Sequence, residues 1–141
     1  MFLLHQAAQS VRSRLEARLR PLGVTGIQYT ILAMVAARPG LSSAELSRRF
    51  FVTPQTMNET VAGLARRGLV TRCAAPGNRR VLILAPTADG LALLADCDRI
   101  ADAVEADAFG WLGAEETARL RRLARRLLRG PRRLRDAGSG S

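Results

Sequence analysis

Lysine is absent from this chain, and all 22 of its basic residues are arginine. Histidine occurs once, as His5, and cysteine twice, as Cys73 and Cys97. A zinc site of the usual ligand spacing needs more of both, so no metal is expected. A single His5 on a helix surface cannot be built into a Ser-His-Asp or Cys-His arrangement, which argues against hydrolytic chemistry. The short segment from Gly110 to Gly113 lacks the length and the lysine of a phosphate-cradling loop. Two cysteines make no disulfide framework and suit a reducing compartment. No run reaches the roughly 18 uninterrupted apolar residues of a membrane span. The opening MFLLHQAAQ is apolar, but no basic residue precedes it and Arg12 and Arg14 follow at once, unlike a targeting segment. Aromatics are only 4% of residues, so aliphatic side chains must fill the core. These absences leave a non-enzymatic, cytoplasmic protein with no cofactor and no membrane partner.

What is present is positive charge. The 141 residues carry a formal net charge of +10 with 48% hydrophobic composition, enough for a single core. A field of that sign favours polyanions and steers encounter with them. Arginine without lysine also follows from a GC-rich coding sequence, so charge supports nucleic-acid binding without establishing it.

Residues 41–87 are the most informative stretch. Ser42 followed by Glu45 is a capping box that predicts a helix to about Arg49. Thr53-Pro54 predicts a second helix over 53–67, with a threonine N-cap and proline where its missing N–H is not needed. The intervening 50–52 leave room only for a sharp corner, as in a helix-turn-helix. At about 100° per residue, Met57, Val61, Leu64 and Ala65 share one side of the second helix. Gln55, Thr56, Glu59, Gly63 and Arg66 share the other. That polar, low-bulk face fits a major groove, although a solvated face of an ordinary amphipathic helix reads the same way. Gly68 then predicts the helix end. A strand is expected over 69–74, a turn at Ala75-Pro76-Gly77-Asn78, and a return strand over 81–85. Arg79 and Arg80 fall where the hairpin leaves its tip. A helix-turn-helix followed by such a ribbon is a winged helix.

From Val24 to about Leu128 the chain resembles MarR-type transcription factors. The resemblance is carried by GVTGIQYTILAMVA, SSAELSRRFFVTPQTMNETVAGLARRGLVTR, PGNRRVLILAPTADG and LGAEETARLRRLARRLL, four pieces in the family's order. It implies a mostly α fold: a winged helix-turn-helix core with N- and C-terminal dimerisation helices. It also implies a dimeric DNA-binding regulator, most often a repressor, on a pseudo-palindromic double-stranded operator. Gln55, Thr56 and Glu59 are the expected base readers. Ser42, Ser43, Arg48, Thr53, Arg66, Arg72, Arg79 and Arg80 are the other candidate DNA contacts. Three departures from the family pattern stand out. Asn78 replaces the wing aspartate and can offer only a neutral hydrogen bond. Pro86 replaces a leucine and is expected to end the second strand early. Glu59 brings a carboxylate to the groove face, where it repels phosphate but can accept from cytosine N4. A winged helix without specific DNA readout, serving protein interaction, is the alternative that Asn78 and Glu59 favour.

The remaining segments flank that lobe. Leu4, Ala8, Val11, Leu15 and Leu19 recur at helical spacing in residues 1–22, and Pro21 and Gly23 break that helix. Thr25 and Gln28 form a second capping box before a helix that is apolar almost all round. Thr87 is expected to cap a helix holding Leu91, Leu94, Ile100, Ala101, Val104 and Ala108. Residues 109–113 interrupt it, and a last helix over 114–128 has acidic residues first and arginines last, complementing its dipole. Leu120, Leu123, Ala124, Leu127 and Leu128 form its apolar stripe. The terminal helices, 1–22 and 88–129, either cover the chain's own core or bury these stripes in a homodimer, and the family resemblance implies the homodimer. The DNA-binding lobe is then 24–87, and 130–141 is a basic tail expected to be disordered. The resemblance further implies a small phenolic or anionic effector where the two regions meet, near Leu4, Ala8, Gln28, Tyr29 and Leu32. Redox sensing by Cys73 at the wing base or Cys97 on the long helix is an alternative to the commoner case of a buried unpaired cysteine, although peroxide-sensing relatives carry their reactive cysteine near the N-terminus, where this chain has none.

Overall fold

The computed structural model describes residues 1–129. The tail expected over 130–141 lies outside the described residues. Helix α1 (Phe2–Leu19) leads through a 3-10 turn (Arg20–Leu22) to α2 (Gly26–Ala37), α3 (Ser43–Phe50) and α4 (Pro54–Arg66). The hairpin β1 (Val70–Ala75) and β2 (Asn78–Pro86) follows, then α5 (Ala88–Phe109) and α6 (Ala114–Arg129). The fold is mostly helical with a two-stranded wing.

Local chemistry accounts for the helix boundaries. Thr25 and Gln28 close a capping box at α2, and Ser42 and Glu45 close one at α3. Thr53 Oγ1 accepts from the Thr56 N–H, with Pro54 just inside α4. Gly68, at φ +70°, follows α4 in the left-handed region that glycine tolerates, and Leu69 N–H bonds back to Leu64 O at 3.0 Å. Between α3 and α4 the chain turns on Phe51, a non-glycine residue at φ 54° whose side chain is exposed.

Contacts divide the described residues after Val104, into Met1–Val104 and a second unit that begins at Glu105. In the first unit, Ile31, Leu32 and Val35 of α2 meet Leu46 of α3, Leu64 of α4 and Leu84 of β2 in one buried cluster. Burying each such side chain stabilises the fold by roughly 1.5–3 kcal/mol. Leu19, Val24 and Cys97 form a second cluster with Leu15, Tyr29 and Ile100, which brings the end of α1 and part of α5 onto the winged helix. The apolar spacing of α1 therefore serves two ends differently. Leu19 is buried, Val11 and Leu15 are half-buried, and Leu4 and Ala8 are exposed.

The wing differs from expectation at both ends of its return strand. β2 begins at Asn78 and reaches Pro86, which pairs with Val70 instead of ending the strand early. The cause is the direction of its nitrogen. Leu84 N–H points away from β1 to Leu41 O at 2.9 Å, and by alternation the Pro86 nitrogen faces the same way, so no ladder bond is lost. An isolated bridge between Ser42 and Ile83 joins the α2–α3 connection to the wing base beside that bond. At the tip the register slips. Ala74 pairs with Leu82 and Ala75 with Asn78, which leaves Arg79, Arg80 and Val81 opposite no residue of β1.

Thr87 and Gly90 fix the passage from wing to α5. Thr87 Oγ1 donates to Gly68 O and accepts from the Gly90 N–H. A Cβ on Gly90 would lie 2.0 Å from Leu69 O, so the backbones approach more closely than any side chain permits. In the second unit, Gly113 N–H bonds Glu116 Oε2 at the start of α6, and Arg121 pairs with Glu105. No residue of α6 is buried, and Leu120, Leu123, Leu127 and Leu128 are exposed.

Candidate nucleic-acid interface

Helix α4 is amphipathic in the sense a reading helix needs. Met57, Val61 and Leu64 are fully buried and anchor it. Gln55, Thr56, Asn58, Glu59 and Arg66 are exposed, with half-buried Ala62 and Gly63 between Glu59 and Arg66. Small residues there leave the ridge low and let the helix axis approach a surface closely. Gln55 Nε2 donates to Glu59 Oε1 at 3.3 Å, one turn apart on the outer face. Thr53 Oγ1 donates to Thr56 Oγ1 at 2.9 Å, so the cap also orients the first polar side chain of the ridge.

The other candidate residues divide by what already holds them. Ser42 is committed: its N–H and Oγ–H both reach Glu45 Oε2, and its oxygen accepts the Glu45 N–H. Those bonds hold the Glu45 carboxyl below its ordinary range, the backbone one foremost. Ser43 Oγ donates to Asn58 Oδ1 at 2.6 Å and ties α3 to the reading helix. Arg48, Arg66 and Arg72 are exposed. Arg79 and Arg80 are exposed in the unpaired bulge, and Arg80 N–H bonds Asn78 Oδ1 at 3.1 Å. Asn78 thus braces the backbone of the wing arginine. Its neutrality costs little in that role, because an amide oxygen accepts from an N–H as a carboxylate does.

Two residues were not legible as part of this surface. Asn58 lies on the flank between the two faces of the α4 wheel, and its amide identity is the only signal. Arg67 looks equivalent to Arg66 in sequence. In the fold its guanidinium donates to Gly23 O at 2.7 Å and Leu22 O at 3.2 Å, strapping the end of α4 to the α1–α2 connection.

A groove of about 430 Å³ opens between α1, α2 and the α3–α4 turn. Ala8, Val11, Leu15, Ile27, Phe50 and Val52 supply apolar walls, Arg12 a cation, Thr30 a hydroxyl, and Glu16 a carboxylate that accepts from the Gly26 N–H at 2.9 Å. Of the residues anticipated for an effector, Ala8 lines this groove and the others are placed elsewhere. Gln28 is in its capping box, Leu32 is in the core, and Leu4 is exposed near the chain start. Tyr29 donates to Asp98 Oδ1 at 2.8 Å; burial, then that bond, raise its phenol above the ordinary range. The helical spacing 8, 11, 12, 15 on α1 was the available signal, but it reads equally as a packing stripe.

Cys97 is buried and its thiol is pushed up, first by burial and then by the charges of Asp98 and Asp96. Cys73 is exposed on β1, not buried as the commoner fate of an unpaired cysteine suggests. Among the described residues no three His, Cys, Asp or Glu side chains gather where they could hold a metal ion. No helix among them is long and apolar enough to cross a membrane.

A capped, polar-faced second helix beside an arginine-bearing wing defines a winged helix-turn-helix DNA-binding protein. Comparison with known proteins makes the class specific. A family model described as MarR family matches residues 22–81. The HTH-type transcriptional repressor Rv2887 of Mycobacterium tuberculosis is 35% identical over 126 residues, covering 89% of this chain and 91% of that protein. Its crystal structure in complex with salicylic acid superposes with a TM-score of 0.74 at 35% identity, covering 89% of this chain and 93% of that one. A MarR variant from E. coli complexed with operator DNA shares the fold, with a TM-score of 0.78 at 24% identity over 89% of this chain and 91% of that one. The chain belongs to the MarR family of winged helix-turn-helix transcriptional regulators, whose work is gene control and not enzymatic catalysis.

Proposed function

We propose that the protein is a homodimeric repressor that reads a pseudo-palindromic operator and is released from it by a small aromatic acid. The observation that carries the reading is the division of α4: Met57, Val61 and Leu64 on its inner face are fully buried, and every long polar side chain on its outer face is exposed. Gln55, Thr56 and Glu59 face the base edges, with Asn58 at their flank. Arg48, Arg66, Arg72, Arg79 and Arg80 supply the positive rim for phosphate or a narrow minor groove. Ser43 and Thr53 serve by orienting their α4 neighbours, and Ser42 by starting α3.

Dimerisation is supported by apolar surface that the chain leaves uncovered: Phe2, Leu3 and Leu4 on α1, and Leu123, Leu127 and Leu128 on α6. A twofold dimer presents two α4 helices to half-sites about one DNA turn apart. The effector reading rests on the groove beside Phe50 and Val52. Its apolar walls suit a ring, and with Glu16 held by the Gly26 N–H, Arg12 suits a carboxylate, the chemistry of the salicylic acid bound by Rv2887. A ligand there touches the turn that sets α4, so it can favour a dimer whose reading helices are wrongly spaced. The site of action is the cytoplasm, where the DNA is.

The deciding measurement is a salt series on a duplex selected by the protein from a randomised pool. Affinity should fall steeply with salt and exceed that for random duplex. Arg80→Ala should flatten the slope by about one unit per lost phosphate contact. Equal affinity for selected and random duplex would instead favour a winged helix devoted to protein interaction.

A further inference from the structure

Glu59 is the only acidic residue of α4, and the fold gives it one specific partner: the Gln55 amide nitrogen, 3.3 Å from its Oε1. A carboxylate can only accept. Its place beside the amide therefore decides which end of Gln55 is nitrogen and which is oxygen, a choice an isolated glutamine leaves open. With one amide proton committed to Glu59, Gln55 keeps one N–H and its carbonyl oxygen. That donor–acceptor pair matches adenine N7 and N6–H₂ in the major groove. Glu59 itself cannot add affinity for the backbone, because its charge repels phosphate. Both side chains are exposed and take no part in the core, so neither is needed for the fold.

We propose that Glu59 is a positioning residue for base readout: it fixes the Gln55 amide in the orientation that selects adenine, so that the two act as one reading unit. This deepens the proposed DNA-binding function and rests on it. The pair explains why a carboxylate is kept on a surface that otherwise gains from positive charge. Its contribution is discrimination, bought at some cost in general affinity.

The test uses the full-length protein and a duplex enriched by the wild type from a randomised pool, with each base pair then varied in turn. Gln55→Ala locates the base pair that Gln55 reads and lowers discrimination there by roughly tenfold, the order of one bidentate contact. Glu59→Gln keeps the length and helix propensity but can donate as well as accept, so it frees the amide to flip. It should lower discrimination at that same base pair while raising affinity for random duplex. The double variant should be no less selective there than Gln55→Ala alone. Unchanged base preference in Glu59→Gln, or an independent loss at a different base pair, would overturn the proposal. Failure of the wild type to enrich any sequence would instead remove the DNA-reading function on which it rests. Circular dichroism of each variant keeps loss of fold apart from loss of readout.

Discussion

Single residues carry sharply different burdens here, and identity alone does not reveal them. Arg66 and Arg67 are neighbours, yet Arg67 is bound to two carbonyl oxygens of the α1–α2 connection while Arg66 is exposed on the reading face. Arg67→Ala is expected to lower the melting temperature, by an amount corresponding to about 1 kcal/mol after discounting for solvent. It should leave the salt slope of DNA binding unchanged, and Arg66→Ala should do the reverse; thermal melts and a salt titration of both variants check this. Gly90→Ala would drive a Cβ into Leu69 O, and backbone cannot yield as a side-chain tip can. The expected loss is on the order of 1–3 kcal/mol or more, read from urea unfolding. The two cysteines should also separate under a thiol reagent at neutral pH. Cys73 should react in the native protein, whereas buried Cys97, with its thiol held up, should react only on unfolding.

At the scale of elements, what the sequence made legible is what short-range chemistry determines. The Thr25–Gln28 and Ser42–Glu45 boxes and the Thr53-Pro54 start lie where residue spacing places them, because a cap is a bond between residues three apart. The extent of β2 was not legible. Whether Pro86 ends a strand depends on which way its nitrogen faces, and that is fixed by a pairing with residues 16 positions earlier. The tip bulge is equally a matter of register, and register has no local signature when Arg79 and Arg80 point at solvent. The groove beside Phe50 and Val52 was legible only as a stripe on α1, since its walls come from three separated segments. The α3 cap also carries a pH prediction. Glu45 has a lowered pKa in the fold, so the native state binds fewer protons than the unfolded state as pH falls through the carboxylate range. The stabilisation is complete above the unfolded pKa and disappears as pH drops through the folded one. Glu45→Gln keeps a box partner but cannot titrate, and should flatten the acid limb of stability against pH.

For the molecule as a whole, the uncovered leucines of α6 and the apolar start of α1 make association the central question. If a second copy covers them, the melting temperature should rise with protein concentration, because a partner that binds only the folded state stabilises it by mass action. Leu123→Glu should shift sedimentation to the monomer and abolish tight binding to the selected duplex, while a half-site duplex keeps its weak affinity. A melting temperature independent of concentration, together with a monomeric sedimentation coefficient, would refute the dimer.

The hairpin also bears on solubility at high concentration. A two-stranded ribbon has two rims, and each is an invitation to a foreign strand. Here Leu41 and Ser42 already occupy the outer rim of β2 at its base, through Leu84 N–H and the bridge to Ile83. Farther out, the kinked backbone at Arg79 and Arg80 presents like charges to any identical neighbour. The same irregularity that sets two exposed guanidinium groups at the ribbon's tip thus denies it a straight, neutral margin on which fibrils could grow.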